Sequence, residues 1–269
     1  MGIGCACSHR LNSLQSQAAD AVKQKPPTIL VTTVDPCFPI EQIRLELQSY
    51  LEENKAYMNK SVLRMFQVAV ESPEQGLATV KLKLCRMREV DWTHFSRLIS
   101  CSRLVSKLFF WKLSLTSKGF SQLCSYLPSL CVLRHLTIGD VGLGYHNVQT
   151  LAEALRSLTS LTHLSLTVNC LRSEHIESLS GSLETLTSLS ELSLDENEIG
   201  DEGCVALRRC ITALSALTQL SVRYNAITYR GCVQLLKASK KRPQLKVLLE
   251  GNDIGEEDWS RMQAQDSLP

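Results

Sequence analysis

Two histidines, His135 and His163, occupy the same position in two successive copies of a 28-residue repeat. Imidazoles brought together in this way can bind a metal ion, but a tetrahedral site needs a third and a fourth ligand. Other copies hold Phe110, Glu191 and Gln219 at that position, which do not complete such a set. We therefore predict an imidazole pair that lines a groove, without a metal ion.

The N-terminal sequence MGIGCACS contains the residues that acylation needs. Removal of Met1 would expose Gly2 to N-myristoylation, and Cys5 and Cys7 are placed for palmitoylation beside it. One acyl chain gives marginal membrane binding, whereas two or three give a stable anchor. The segment resembles the N-termini of doubly acylated signalling proteins, although Ala6 departs from the motif M-G-x-x-x-[ST]. The alternative is an unmodified tail with incidental cysteines.

Sequence motifs of common catalytic centres are absent. The sequence has no G-x-x-x-x-G-K-[ST] for nucleotide phosphates, no G-x-S-x-G elbow and no H-E-x-x-H. We therefore predict that the protein is not an enzyme, and that it has no catalytic residues, no cofactor and no small-molecule substrate.

Overall charge and composition exclude further classes. The chain has 29 basic and 27 acidic residues and a net charge of +2, and it shows no recognisable nucleic-acid module, so we predict no nucleic-acid partner. It has no apolar run long enough to span a membrane, and its 11 scattered cysteines suit reduced thiols. We predict a cytoplasmic protein, located on the cytosolic face of the plasma membrane or an internal membrane if acylated.

One basic cluster lies in the sequence LLKASKKRPQLK, at the end of a predicted helix. Its members are Lys237, Lys240, Lys241, Arg242 and Lys246. Cations at a helix C-terminus complement the helix dipole and usually remain solvated. The alternative is contact with anionic lipid, which an acylated N-terminus would bring close.

The candidate residues are positioned by a repeat with the template L-x-x-L-x-L-x-x-N-x-L. Three copies are in strict register, and one has Val141 in place of the asparagine. Farther upstream the spacing loosens, with one degenerate copy and one good copy, and one downstream copy is shortened. The first leucines of the copies are Leu77, Leu108, Leu133, Leu161, Leu189, Leu217 and Leu245.

Each copy is predicted to form a short strand followed by a helix. Apolar residues two apart in ELSL and QLSV are typical of a strand with one buried face. The template asparagine is expected to turn its amide onto backbone groups of the bend. The sequence IGDEGCVALRRCI then offers a glycine turn, acidic residues at a helix N-terminus and one apolar helix face.

The pattern N-x-I-G-D-E-G-x-x-x-L, with several copies in register, resembles the ribonuclease-inhibitor-like class of leucine-rich repeats over residues 77–255. The resemblance implies an α/β solenoid, or horseshoe, of about six to seven repeats, with parallel strands on the concave face and helices on the convex face. It does not imply one function. Relatives of this class include ribonuclease inhibitor, the sensor ends of NOD-like receptors, tropomodulin-type actin cappers and the GTPase activator for Ran.

Four segments are predicted along the chain. Residues 1–28 form an N-terminal tail, 29–76 a capping subdomain, 77–255 the repeats and 256–269 a C-terminal tail. Within the cap, apolar spacing between Ile40 and Met58 predicts an amphipathic helix, and VLRMFQVAV from Val62 predicts a strand. An independent effector module is the alternative to a cap.

The strand positions that point away from the core are the candidate binding surface. Aromatic, arginine and other charged side chains there are the anchors that protein interfaces favour. The predicted partner-binding residues are Phe110, His135, His163, Asp195, Glu196, Arg223 and Tyr224. The alternative for Asp195, Glu196 and Arg223 is lateral pairing between strands.

The predicted function is a non-enzymatic scaffold that holds a protein partner on its concave face and can be tethered to a membrane by acyl chains. One alternative is a GTPase-activating protein resembling the Ran activator. Another is an immune or signalling adaptor related to the sensor domains of NOD-like receptors.

Overall fold

Seven strands form a single parallel sheet in the computed structural model, which describes residues 40–71, 78–101 and 105–266. The strands lie side by side in chain order, as the strands of a solenoid do. They are β1 (Thr79–Lys83), β2 (Lys107–Trp111), β3 (His135–Gly139), β4 (His163–Ser165), β5 (Glu191–Ser193), β6 (Gln219–Ser221) and β7 (Lys246–Leu248). We number the repeats 1 to 7 after these strands.

Helices alternate with the strands and pack on one another as a second layer. The helices before the sheet are α1 (Ile40–Asn54) and α2 (Lys60–Glu71). Those of the repeats are α3 (Glu89–Cys101), α4 (Ser117–Tyr126), α5 (Tyr145–Leu155), α6 (Ser173–Leu183), α7 (Gly200–Ala213), α8 (Tyr229–Ser239) and α9 (Glu256–Asp266). Strands and helices thus form the two faces predicted from the repeat. The predicted C-terminal tail includes α9.

The pairing register corrects one predicted site residue. Leu108 pairs with Leu136, and Phe110 pairs with Ile138. Phe110 therefore points into the core, where it is fully buried. The prediction that Phe110 lines the groove is wrong because Leu108 is the second apolar position of its copy; the first is the buried Val105.

A continuous apolar core lies between the sheet and the helices, from Leu47 in the first helix to Leu249 after the last strand. The inward leucines of successive strands, such as Leu164, Leu192 and Leu220, are at most 2% exposed. Burial of each such side chain stabilises the fold by about 1.5–3 kcal/mol. The core therefore runs through all the repeats.

Asparagines cross-link the bends of the later repeats. The Asn197 Oδ1 accepts the backbone N–H groups of Asn169 and Leu171 at 2.9 and 3.0 Å. Its Nδ2 donates to the carbonyls of Leu166 and Leu194 at 3.0 and 2.7 Å. Equivalent bonds are made by Asn169, Asn225 and Asn252. The expected role of the template asparagine is confirmed.

The two helices before the sheet differ in how well the sequence predicted them. Helix α1 was expected, and its Leu47 and Leu51 are buried. The strand predicted from Val62 is wrong, since this segment forms α2. Val62, Met65 and Phe66 are fully buried and recur at the spacing of one helix face. The three-to-four-residue spacing of the buried side chains therefore indicates the helix, although the segment contains β-branched residues.

A buried polar cluster joins α1 to α3. Tyr50 Oη donates to Asp91 Oδ1 at 2.5 Å, and Arg88 Nη2 donates to the same oxygen at 2.9 Å. Asp91 is 1% exposed. Burial alone would raise the pKa of Asp91, but hydrogen bonds from Arg88 and Tyr50 hold it below its usual value. Tyr50 also stacks on His94, with ring centroids 3.9 Å apart. These contacts fix α1 against the first repeat.

Five described cysteines are buried in the core. They are Cys85, Cys124, Cys204, Cys210 and Cys232. Burial raises the pKa of Cys85 to about 11 and that of Cys210 and Cys232 to about 12. At neutral pH these thiols are protonated and therefore weak nucleophiles.

The predicted acylation residues Gly2, Cys5 and Cys7 lie outside the described residues. None of the helices in the described segments combines the length and apolar character needed to cross a membrane.

Candidate protein-binding surface

The concave surface consists of the side chains that point away from the helices. Each repeat contributes alternate strand positions and the residue after the last of them. In repeats 1 to 3 they are Thr79, Lys81, Lys83, Leu84, Lys107, Phe109, Trp111, Lys112, His135, Thr137, Gly139 and Asp140. In repeats 4 to 7 they include His163, Ser165, Thr167, Val168, Glu191, Ser193, Asp195, Glu196, Gln219, Ser221, Arg223, Tyr224, Lys246, Glu250 and Gly251.

In every repeat, a residue one to three positions after the strand adopts the left-handed backbone region. These residues are Leu84, Lys112, Asp140, Val168, Glu196, Tyr224 and Gly251, with φ between 51° and 74°. Only the last is glycine, and the conformation is strained for a β-branched residue such as Val168. The turn therefore aims one further side chain per repeat at the concave surface. This turn geometry is not predicted from the sequence, because six of the seven positions do not hold glycine.

The structure brings His135 and His163 together. Their rings stack with centroids 4.0 Å apart and an interplanar angle of 28°. Thr162 Oγ1 lies 2.7 Å from Nδ1 of His163, and Nε2 of His163 lies 3.3 Å from Glu191 Oε1. Burial, and then the charges of His163 and Lys107, lower the pKa of His135 below its usual value of 6.5. Within the described segments, no three His, Cys, Asp or Glu side chains come together as metal ligands would.

Asp195 and Arg223 are engaged between strands, as the alternative interpretation held. Asp195 Oδ1 accepts the hydroxyl of Ser221 at 2.5 Å and the backbone N–H of Arg223 at 2.9 Å. The guanidinium of Arg223 donates from Nε to Glu250 Oε2 at 2.9 Å. An exposed pair of this kind contributes about 0–1 kcal/mol to stability, so it mainly orients the side chains.

Tyr224 and Glu196 project from the turns of neighbouring repeats. Tyr224 is 43% exposed, and its ring lies against Gly251, where any Cβ atom would overlap it. Glu196 is exposed. These two predicted residues therefore lie at the solvent side of the surface, whereas Phe110 does not.

An aromatic pair in repeat 2 was not predicted from the sequence. The rings of Phe109 and Trp111 stack with centroids 6.2 Å apart and an interplanar angle of 19°, and Lys83 Nζ lies 4.8 Å from the centroid of Phe109. Trp111 lies against Gly139, whose lack of a side chain makes room for the indole. Subtracting 28 residues from Thr137 and Gly139 would have found both aromatics.

The predicted basic cluster at the end of α8 divides into separate roles. Arg242 Nη1 donates to the carbonyls of Ile211 and Leu214 at 2.7 and 2.5 Å, and Nη2 to that of Leu217 at 2.8 Å. Arg242 therefore hydrogen-bonds backbone carbonyls at the end of α7 and in the segment that leads to β6. Lys246 lies instead on β7, on the concave surface.

Comparison with known proteins agrees with this architecture. A family model described as leucine-rich repeat matches residues 185–207, which span the bend of repeat 5. The chain folds as a leucine-rich-repeat solenoid. Such repeats form a scaffold fold for protein interaction.

Among solved structures, a protein from Bacteroides fragilis has 13% sequence identity and a TM-score of 0.47, covering 97% of this chain and 80% of that one. An internalin from Listeria monocytogenes has 16% identity and a TM-score of 0.23, covering 85% and 87%. No curated protein matches the sequence. The assignment of the solenoid therefore rests on the sheet, its register and the family match.

Proposed function

We propose that this solenoid is a non-enzymatic scaffold that holds a protein partner on its concave surface. The observation that carries the proposal is one continuous strand face of small polar positions bordered by fixed aromatic and charged side chains. Thr137, Ser165 and Ser193 lie side by side at its centre. Tyrosine, tryptophan and arginine, the types that dominate binding energy at interfaces, lie around that centre.

Rigidity of the surface supports the same function. Asp195 is hydrogen-bonded to the next strand, Arg223 is paired with Glu250, and Tyr224 is seated on Gly251. Side chains that are already ordered lose little conformational entropy when a partner binds. The surface can therefore use most of its contact energy for affinity.

Site-specific photocrosslinking tests the proposal. A benzophenone amino acid at Ser193 reports on the concave surface, and the same amino acid at the exposed Glu202 at the start of α7 is the control. We expect covalent capture of a protein partner from position 193 and not from position 202. Capture from position 202 alone, or from neither position, would count against a concave scaffold.

We further propose that the N-terminus is acylated at Gly2, Cys5 and Cys7, which would place the scaffold on the cytosolic face of a membrane. The support is the spacing of these residues, since two or three acyl chains anchor a protein stably. Intact-mass measurement after expression in eukaryotic cells should show the added chains. Membrane flotation should be lost in Gly2→Ala and weakened in Cys5→Ser/Cys7→Ser. Unmodified, non-floating protein would reject the anchor and leave the concave scaffold untouched.

The repeats themselves are proposed to belong to the ribonuclease-inhibitor-like class. Their 28-residue period and the full helix in each unit support this assignment.

A further inference from the structure

The first two strands present cations and aromatic rings together on the concave surface. We call this surface the basic–aromatic patch. It consists of Lys81, Lys83, Lys107, Phe109, Trp111 and Lys112. All six are exposed or half-buried. None of them was among the residues predicted from the sequence; Phe109 and Trp111 were missed because the register of repeat 2 was misplaced.

From this patch we infer that repeats 1 to 3 bind an extended acidic peptide segment of a protein partner, with one apolar side chain of that segment packed against Phe109 and Trp111. The inference rests on the proposed scaffold function and specifies the chemistry of its partner.

The concave surface of the early repeats carries an excess of positive charge. The concave positions of repeats 1 to 3 hold four lysines and one carboxylate, Asp140, which lies 3.5 Å from Lys112 Nζ. Among the residues that the structure describes, no carboxylate lies within ion-pair distance of Lys81, Lys83 or Lys107. Three ammonium groups on one side of the sheet therefore offer charge-assisted hydrogen bonds to an incoming acidic chain.

The aromatic geometry favours a peptide over single-stranded nucleic acid. Bases bind such surfaces by stacking on open ring faces. Here the ammonium of Lys83 covers one face of Phe109, the Phe109 and Trp111 rings lie beside each other, and Trp111 rests against Gly139. The rings therefore present a fixed, partly covered apolar strip, which suits an aliphatic or aromatic side chain.

The opposite charge farther along the sheet confines the peptide to this end. Repeats 4 to 7 hold four concave carboxylates, Glu191, Asp195, Glu196 and Glu250, against Arg223 and Lys246. Like charges would repel an acidic chain there. Adjacent strands are about 4.8 Å apart and an extended residue spans about 3.3 Å, so crossing repeats 1 to 3 takes about three to five residues.

Titration of the full chain with fluorescein-labelled peptides tests the inference. The probe is a peptide of about 12 residues in which glutamates flank one central leucine. Its controls replace the glutamates with lysines or the leucine with glycine. We expect saturable anisotropy for the glutamate–leucine peptide, weakened by added salt, and at least about tenfold weaker binding by either control.

Two charge-matched variants locate the binding. Lys81→Glu/Lys83→Glu/Lys107→Glu should lower the affinity at least about tenfold, whereas Lys237→Glu/Lys240→Glu/Lys241→Glu, with the same change in net charge, should leave it unchanged. Trp111→Ala should weaken the leucine peptide and not the glycine peptide. Circular dichroism of each variant confirms that it is folded.

Several results would overturn the inference. These are no saturable binding of the acidic peptide, equal losses in the two triple variants, or a Trp111→Ala effect that does not depend on leucine. Tighter binding of an oligouridine of similar length would assign the patch to nucleic acid instead. If a partner is crosslinked from position 193 but the acidic peptide does not bind, only the peptide-binding role of the patch is refuted. If neither the crosslink nor peptide binding is observed, the proposed scaffold function is refuted as well.

Discussion

Repeats 1 to 3 and repeats 4 to 7 share one backbone plan but stabilise it differently. At the position of the template asparagine, the early repeats have Cys85, Leu113 and Val141, whose side chains can only pack. The later repeats have asparagines such as Asn169 and Asn197, which hydrogen-bond the bends. The side chain at this position can therefore be apolar or an amide, and a sequence template that demands asparagine underestimates the early repeats.

The two regions also differ on the concave surface. The early repeats carry lysines and two stacked rings, whereas the later repeats carry small hydroxyl side chains and carboxylates that are bonded to neighbouring strands. Surface chemistry thus changes along the solenoid while strand spacing does not. The two regions therefore differ in contact chemistry on one concave surface.

The largest effect is expected from removing a ladder asparagine. Asn197→Ala would leave buried backbone groups without partners, and each such group costs about 1–3 kcal/mol, so we expect a loss of about 3 kcal/mol of unfolding free energy. Val141→Ala, at the same position of repeat 3, should cost about 1 kcal/mol because it removes only packing. Urea denaturation measures both. Equal losses would show that the two kinds of bend are stabilised alike.

A smaller effect is expected at the position that accommodates the indole. Gly139→Ala would place a Cβ atom into the Trp111 ring, so we expect a loss of about 1–3 kcal/mol and a shift of tryptophan emission. Thr167→Ala, at the same position one repeat later, should change stability by less than about 1 kcal/mol. Urea denaturation followed by fluorescence compares the two variants. An unshifted emission in Gly139→Ala would mean that the ring is not held by this contact.

The stability of the fold should depend on pH through His135, which lies at the boundary between the two regions. Because the folded chain holds the pKa of His135 below 6.5, the unfolded chain takes up a proton first as the pH falls through that value. Stability is therefore lost on acidification below about pH 6.5, and His135→Gln should reduce that loss. Thermal denaturation between pH 7 and pH 5 measures it. An identical pH dependence in the variant would contradict the expectation.

The smallest effect is expected at the left-handed turns. Val168→Asn should raise the stability by up to about 1 kcal/mol, since asparagine adopts φ of 56° with less strain than valine. Val132→Asn, at an exposed position outside these turns, should give no gain. Chemical denaturation distinguishes the two. A loss at position 168 would show that packing of the valine outweighs its backbone strain.

The sequence predicted the repeating features of the fold well. Period, strand and helix order and the asparagine bonds follow from side chains that recur at fixed spacing, and the structure confirms them. The errors arose where that signal was weak. The sequence misplaces Phe110 because Val105 replaces the first leucine of its copy, and it predicts a strand at α2 because Val62, Val68 and Val70 are β-branched. The contact of Trp111 with Gly139 depends on two strands 28 residues apart, so no local pattern reveals it.

The asparagine bonds that join two repeats run in one direction along the chain. Each amide closes a bend made one repeat earlier: Asn169 reaches the carbonyl of Ile138, Asn225 that of Leu194, and Asn252 that of Val222. During synthesis on the ribosome, these bonds can therefore form only after the asparagine of the following repeat has been added to the chain.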